Sequence, residues 1–305
     1  MGRTRPADGW ELTRGERDWP AALEELPNPP EALFGRGDPA ALSGPAVAVV
    51  GARRATPYGL AIAEMAARVA AECGATVVSG GAMGCDCAAG QGALRAGGVS
   101  VVVAGTGADV TYPASSRAVF EGSLLHGGAV ISAEPWGSPP RRWAFPKRNA
   151  LIAALCQALV VTEAGARSGT LSTAEAAADL GRVVYAVPGS IFSPTSVGTN
   201  RLIAEGARPI PDERSLELAL ALDLGVARLA VPSERGPQGP VMSALLASPA
   251  RPDELASQLG EDVLTLLRTL TDYEARGIVE RGPDGRYSPA RSWLLGQNGR
   301  DRQGP

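Results

Sequence analysis

Short apolar segments alternate with amphipathic segments between residues 44 and 207 of the chain. The apolar segments predict buried strands, and they are 46–50, 75–79, 99–105, 129–132, 158–164 and 182–189. The amphipathic segments predict helices, and they lie near 57–74, 86–96, 114–125, 149–157, 169–180 and 198–205. Because short apolar strands separated by helices are typical of a parallel sheet covered on both faces, the pattern predicts a doubly wound, mostly parallel α/β fold. In such folds ligands bind beyond the carboxyl ends of the strands.

The pattern changes on either side of this region. Residues 1–43 predict an N-terminal extension that packs on the core, and 208–240, with five prolines, predicts a linker that carries one short helix. Three further helices and a hairpin around Asp284-Gly285 predict a small winged-helix-like domain over 241–290, and they are 241–247, 251–260, 261–277 and 278–289. The polar tail 291–305 is expected to be frayed.

Composition narrows the class of protein. With 45% apolar residues the chain has enough apolar mass to exclude full disorder, and no stretch reaches the ~18 apolar residues that a membrane span needs. The first residues contain no apolar signal segment, so we expect a cytoplasmic protein whose four cysteines are reduced.

Catalytic and metal-binding constellations are weak. His126 is the only histidine and lies between a predicted helix and a predicted strand, so it is interpreted as a helix-end residue rather than a general base. Cys85 and Cys87 lack the further Cys or His neighbours that a tetrahedral metal site requires. We therefore expect no metal, no catalytic residue and no enzymatic activity.

Five loops follow predicted strands, and they are 49–59, 79–86, 105–113, 134–149 and 163–173. A glycine-rich turn at a helix N-terminus presents free N–H groups that favour anions, and Ser168, Gly169 and Thr170 are placed for this role. Such a turn also simply closes a tight connection, and this alternative stays open. The phosphate-loop motif is absent, and position 110 is Val where a dinucleotide fingerprint needs Gly, so neither ATP nor NAD is expected as a cofactor.

The segment 141–148, named here the basic aromatic segment, has the sharpest chemical character. It interleaves Trp143 and Phe145 with four cations, which are Arg141, Arg142, Lys147 and Arg148. Cations that hold a phosphate backbone next to rings that stack on bases suit single-stranded nucleic acid. The alternative is a solvated basic loop with both rings in the core.

Charge differs between the two predicted domains. Residues 44–207 carry twelve Arg or Lys against ten Asp or Glu, whereas 240–290 carry five against eight. The C-terminal domain is therefore acidic, which disfavours DNA binding through it and favours a docking or structural role.

The sequence of the chain resembles that of the DNA-processing protein A family, also called DprA or Smf. The resemblance covers about residues 18–288 and runs through a series of blocks, among them AVAVVGARRATPYG (46–59), SGGAMGCDCAAGQGAL (79–94), GTGADVTYP (105–113), ISAEPWGSPPRRWAFPKRNALIA (131–153) and VVTEAGARSGTLSTAEAA (160–177). It implies an extended Rossmann-like domain, a C-terminal winged-helix-like domain, binding of single-stranded DNA, a homodimer, and delivery of the DNA to the RecA recombinase in natural transformation.

The resemblance also implies which residues contact DNA. Carried over position by position, these are Arg53, Ser79, Gly80, Gly81, Lys147, Arg148 and Asn149, with Ser168, Gly169 and Thr170 as a phosphate-binding turn. The chain departs from the family pattern at Met83, Gly90 and Ala150, where an arginine, a histidine and an arginine often stand. We expect the missing cations to weaken phosphate contact.

Two alternatives accompany the DNA-binding hypothesis. One is a phosphoribohydrolase-like enzyme, because Gly169-Thr170 is part of that signature, although Glu175 follows Thr170 by five positions rather than three. The other is a partner-docking scaffold whose DNA site has decayed at Met83, Gly90 and Ala150.

Overall fold

A computed structural model of the protein describes residues 5–227 and 240–294. Its strands are β1 (Gly9–Thr13), β2 (Ala32–Gly37), β3 (Ala46–Val50), β4 (Thr76–Ser79), β5 (Ser100–Val103), β6 (Ala129–Ser132), β7 (Ala158–Val161), β8 (Val183–Ala186), β9 (Arg208–Pro209), β10 (Val279–Arg281) and β11 (Tyr287–Pro289). Its helices are α1 (Pro57–Glu72), α2 (Cys85–Arg95), α3 (Arg117–Leu125), α4 (Ala144–Ala154), α5 (Thr170–Asp179), α6 (Val197–Ala204), α7 (Glu213–Leu224), α8 (Pro240–Ala247), α9 (Pro252–Leu259), α10 (Val263–Ala275) and α11 (Arg291–Leu294).

The six predicted strands form the parallel centre of a nine-stranded sheet. Its order is β1-β2-β6-β5-β4-β3-β7-β8-β9, and β3 to β9 run parallel to one another. In β3, Val47 and Val49 face the layer of α1, α2 and α7, whereas Ala48 and Val50 face the layer of α4 and α5. Because both faces are covered, the strands are apolar throughout rather than alternating. The Rossmann-like, doubly wound α/β fold predicted from the sequence is confirmed.

The N-terminal segment adds two strands that the apolar pattern does not predict. β1 pairs antiparallel with β2, and β2 pairs antiparallel with β6 at the edge of the sheet. Leu23 and Leu33 of this segment are fully buried in the core. The two strands contain Gly and charged residues and lack a continuous apolar run, which is why the pattern alone does not reveal them.

The predicted linker differs from what is observed over its first half. β9 joins the sheet beside β8, and α7 buries Leu216 and Leu220 against the layer that contains α1. Residues up to 224 therefore pack on the sheet, because the Ala/Leu-rich stretch has an apolar face. Residues 228–239 of the predicted linker lie outside the described residues.

The C-terminal segment has its own apolar core beneath three helices and the β10–β11 hairpin. Met242, Leu245, Leu255, Leu266 and Leu270 are buried there. The order of three helices followed by a hairpin agrees with the sequence, while the winged-helix architecture stays a prediction. The start of the tail that was predicted to be frayed is instead the helix α11, which buries Leu294. Residues 295–305 of the predicted tail lie outside the described residues. No helix within 5–227 or 240–294 has the length and apolar character to cross a membrane.

Candidate nucleic-acid interface

The carboxyl ends of β3, β4 and β7 meet where the strand order of the sheet changes direction, and a cavity of about 560 Å³ opens there. We name it the strand-end cavity. It is lined by the loop after β3, the start of α2, α4, the loop after β7 with the first turn of α5, and the loop after β8. This is the position at which doubly wound folds bind ligands, and the volume is in the range of small-molecule sites.

Six exposed cations surround the strand-end cavity or lie on the basic aromatic segment beside it, and they are Arg53, Arg54, Arg141, Arg142, Lys147 and Arg167. None of the six has a carboxylate oxygen within 4.0 Å anywhere in residues 5–227 and 240–294. Many of the other arginines are paired, for example Arg36 with Asp8 at 2.8 Å and Arg182 with Glu25 at 2.9 Å. The chain therefore holds uncompensated positive charge at this edge of the sheet.

The rings of the basic aromatic segment lie among these cations. Trp143 is 48% exposed, with the Lys147 Nζ 4.8 Å and the Arg141 Cζ 5.7 Å from its ring centroid. The Phe145 ring has the Arg53 Cζ 5.2 Å above it and the Tyr112 ring 6.1 Å away. These distances are within the range of cation–π contacts. Trp143 is thus not tucked into the core, contrary to the alternative of a solvated loop with both rings buried.

Arg148 differs from the other cations of the segment because it is buried. The sequence pattern places it in a loop, but α4 begins at Ala144 and carries Arg148 on its inner side. Its Nη1 donates to the carbonyl oxygens of Gly80 and Val103, the latter at 3.1 Å. Burial lowers the pKa of Arg148, and the nearby Asp86 carboxylate opposes that effect. Arg148 therefore joins α4 to the ends of β4 and β5, and its Nε has no partner in the described part of the chain.

Asp86 is the buried acid opposite Arg148. Burial raises the pKa of its carboxyl group, while the charge of Arg148 and backbone N–H groups of Ala82 and Gly51 act in the other direction. Asp86 lies in the first turn of α2, where the helix dipole favours a negative charge. The pair fixes the loop after β4 against α4.

Some of the remaining residues predicted to contact DNA line the cavity, and others are buried in the fold. Asn149 Nδ2 donates to the Gly169 carbonyl at 3.3 Å, and Ser168 Oγ accepts the Thr170 N–H at 3.3 Å. These four residues line the cavity and are joined to one another by the two hydrogen bonds. Thr170 Oγ1 donates to the Gly51 carbonyl at 2.9 Å.

Two predicted residues are directed into the fold. Ser79 is buried and its Oγ donates to the Val49 carbonyl at 2.8 Å. Gly81 packs so closely on the side chains of Phe120 and Val102 that an added Cβ would lie 2.7 Å from each. Gly80 borders a recess of about 50 Å³ that Arg53, Met83, Tyr112 and Phe145 also line.

Sequence reasoning missed Arg54 and Arg167 as candidate site residues. Both line the strand-end cavity. The signal for them was present, since Arg54 follows Arg53 directly and Arg167 precedes Ser168 in the loop after β7.

The acidic residues that the enzyme hypothesis concerns lie in different places. Glu163 accepts hydrogen bonds from the Thr56 N–H and the Thr56 hydroxyl, each at 2.9 Å, and so holds the start of α1. Glu175, which the enzyme hypothesis needs, borders a different cavity with Arg182 and Arg208. His126 is exposed at the end of α3, with its Nδ1 2.8 Å from the Gly122 carbonyl. Within 5–227 and 240–294, no three His, Cys, Asp or Glu side chains are grouped as metal ligands.

Comparison with known proteins shows the family of the chain. Residues 10–219 match the family model described as DNA recombination-mediator protein A. The chain belongs to that family. It is 40% identical over 190 residues to the DNA processing protein DprA of Streptococcus pneumoniae, a match that covers 62% of this chain and 67% of that protein. It is 37% identical over 232 residues to Protein Smf of Synechocystis, covering 73% of this chain and 58% of the relative, so the chain spans little more than half of that relative's length.

Two solved structures of this family resemble the fold. The X-ray structure of DprA from Streptococcus pneumoniae matches with a TM-score of 0.65 at 36% identity, covering 70% of this chain and 74% of the other. A DprA structure from Helicobacter pylori, described as giving insight into a single-stranded DNA binding mode, matches with a TM-score of 0.65 at 29% identity, covering 73% of this chain and all of the other. Both matches support the extended Rossmann-like sheet that carries the strand-end cavity.

Proposed function

We propose that this protein binds single-stranded DNA along the edge formed by the strand-end cavity and the basic aromatic segment, without altering the strand chemically. The observation that carries the proposal is a set of six exposed cations that have no carboxylate partner in the described chain, three of which lie over the rings of Trp143 and Phe145. Phosphates neutralise such cations, and unpaired bases stack on such rings. The Helicobacter pylori relative, a DprA whose structure concerns a single-stranded DNA binding mode, supports the same ligand.

The departures from the family pattern leave this cluster in place. An added Cβ at Gly90 would meet the Val119 side chain, so a larger residue there needs a shift of α3. Met83 is half exposed beside Tyr112 and Phe145 in the small recess, where it offers apolar contact in place of charge. Arg54 and Arg167 supply positive charge at the cavity. These features favour a working DNA site over a decayed one.

The test measures the affinity of fluorescent oligothymidylate for wild-type protein and for Arg53→Ala and Lys147→Ala. We expect each variant to bind roughly tenfold more weakly at low salt, the effect of removing one charge-assisted hydrogen bond of about 1.5 kcal/mol. The slope of log affinity against log salt becomes shallower by about 0.7 for each phosphate that the variant no longer neutralises.

Arg268→Ala, which removes an exposed cation from α10, is the matched control and leaves both quantities unchanged. If Arg53→Ala and Lys147→Ala bind like wild type, the site is wrong. If the wild type itself does not bind oligothymidylate, the scaffold hypothesis replaces DNA binding.

The family resemblance supports a second part of the proposal, that the protein is a homodimer which delivers the strand to RecA in transformation and recombination. Light scattering is expected to give twice the mass of the chain. RecA filament assembly on strands coated with single-stranded-DNA-binding protein is expected to accelerate when the protein is added. A monomer, or an unchanged rate of assembly, contradicts this part alone.

A further inference from the structure

Residues 189–196, in the loop between β8 and α6, present two adjacent apolar side chains to solvent, and we name this segment the Phe192 turn. Ile191 is 79% exposed and Phe192 is 89% exposed. The chain has only four phenylalanines, and the other three are buried or half-buried, with Phe120 and Phe34 in the core around α3 and Phe145 at the candidate site. Burying a ring is favourable by about 1.5–3 kcal/mol, so an aromatic ring held almost fully in water points to an absent contact partner.

The Phe192 turn is held in shape by its own hydrogen bonds. Asn200 of α6 clamps Gly189, accepting its N–H at 3.1 Å and donating to its carbonyl at 2.9 Å. The Phe192 N–H donates to Ser190 Oγ at 3.3 Å, and the Ser193 N–H donates to the Ser190 carbonyl at 3.0 Å. A ring on a turn that is already ordered loses less conformational entropy when a ligand stacks on it.

The turn also forms one wall of the strand-end cavity. Pro194 and Thr195 line that cavity, two and three residues beyond Phe192. The Pro194 carbonyl lies so close to the loop after β7 that a Cβ on Gly165 would be 3.3 Å from it. Phe192 is therefore at the border of a site whose other walls carry Arg53, Arg54 and Arg167.

The strand order places Phe192 on the opposite side of the cavity from the other rings. Phe145 covers the end of β5, where a Cβ on Gly105 would lie 2.8 Å from its Cδ1. From β5 to β8 the order is β5-β4-β3-β7-β8, four strand spacings of about 4.8 Å, or about 19 Å. The cavity with its cations lies between these two aromatic positions.

We propose that Phe192 is a second base-stacking residue, which takes an unpaired base of the same DNA strand after that strand has crossed the strand-end cavity. This inference rests on the proposed function and adds to it the direction of the strand along the sheet edge. Phosphates of the intervening nucleotides face Arg53, Arg54 and Arg167, and the strand ends its path against the ring. The cavity beside the turn carries Arg53, Arg54 and Arg167, and these cations favour an anionic nucleic-acid strand over an apolar protein partner.

The experiment compares oligothymidylates of about three and about twenty nucleotides, since binding sites of this kind span about 4–16 nucleotides and three nucleotides cannot bridge the about 19 Å between the two aromatic positions. Phe192→Ala is expected to weaken binding of the long strand at least about fivefold, the lower end of what removal of one stacking ring causes, and to leave the short strand unaffected. Phe192→Trp is expected to keep the wild-type affinity. Phe192→Leu, which keeps apolar bulk but removes the aromatic face, is expected to behave like Phe192→Ala.

Controls separate this inference from the proposed function. Ile191→Ala removes the neighbouring exposed side chain and is expected to change neither affinity. Arg53→Ala is expected to weaken binding of both strands whether or not Phe192 stacks on a base.

If Arg53→Ala loses affinity while Phe192→Ala binds the long strand like wild type, the proposed function survives and the Phe192 inference fails. If Phe192→Leu binds like wild type, or if Phe192→Ala changes the mass measured by light scattering, the ring contacts an apolar surface such as a second copy of the chain, and the inference is wrong.

Discussion

At the scale of single residues, the site depends on how closely the backbone of one loop approaches a buried charge. Gly80 is the position where this approach is closest. An added Cβ there would collide with Arg148 Nη1 and lie 2.6 Å from Asp86 Oδ2. The glycine is required because a side chain would separate Arg148 from the carbonyls that accept its hydrogen bonds, and not because the backbone has an unusual φ.

We therefore expect Gly80→Ala to lower the free energy of unfolding by about 1–3 kcal/mol, because it leaves a buried guanidinium without its acceptors. DNA affinity is expected to fall with it, since the start of α4 positions Lys147 and Phe145. Urea denaturation and oligothymidylate binding measure the two effects. Gly169→Ala is the matched control at the same cavity, because a Cβ there meets nothing within 4 Å. Equal stability of the two variants would contradict this role of Gly80.

At the scale of elements, a capped helix N-terminus allows a segment of linker-like composition to pack on the core. α7 illustrates this, because its composition resembles a linker while its structure is that of a capped helix. The Asp212 side chain accepts the Ser215 N–H at 2.7 Å, and this hydrogen bond holds the pKa of Asp212 below its usual value of 3.8. The cap starts the helix that buries Leu216 and Leu220.

Asp212→Ala is expected to lower the free energy of unfolding at neutral pH by about 1 kcal/mol, the usual effect of removing such a cap. A carboxyl group with a lowered pKa in the folded state stabilises the fold above its unfolded pKa, and this contribution disappears as the pH falls through the folded value. The difference between wild type and Asp212→Ala is therefore expected to shrink below about pH 4. Asp212→Asn caps the helix without titrating and keeps the stability at low pH, and a pH-independent difference for Asp212→Ala would contradict the role of the carboxylate.

At the scale of the whole molecule, the C-terminal segment is attached to the sheet domain through a buried charge. Glu64 of α1 is only 4% exposed, and its carboxylate pairs with Arg95 of α2 and with Arg291 of α11. Arg291 belongs to the segment that composition alone predicts to be a frayed tail. The burial of this carboxylate limits screening by salt, so the ion pair is expected to persist at ionic strengths that would weaken the proposed DNA binding.

Arg291→Ala is expected to increase amide hydrogen exchange in α11 and β11, because the ion pair that joins α11 to α1 is removed while Glu64 keeps Arg95. The free energy of unfolding is expected to fall by about 1–3 kcal/mol. Arg95→Ala removes the other partner of the same carboxylate within the sheet domain and is expected to leave exchange in α11 unchanged. Unchanged exchange in Arg291→Ala would show that apolar contacts alone hold α11.

Local patterns in the sequence were sufficient for the parallel sheet and for most helix bounds, and they indicated which loops meet at the strand ends. Burial on both faces forces an apolar run in each central strand, so these strands are visible without knowledge of their neighbours. β1 and β2 were not visible, because edge strands depend on long-range pairing with β6 rather than on their own residues. The start of α4 was misplaced by five residues, because Pro146 and the cations obscure its first turn.

Amino-acid order by itself determined the fold class, the family and the presence of cations and rings on loops that meet at one edge of the sheet. Only the tertiary structure decided that Arg148, Ser79 and Gly81 turn inward, that Arg54 and Arg167 join the cavity, and that Phe192 faces water beside it. The physical reason is the distance along the chain over which each kind of information acts. Periodicity indicates only which face of its own helix or strand a residue occupies. Whether that face meets a carbonyl, a carboxylate or solvent depends on segments that lie tens of residues away along the chain.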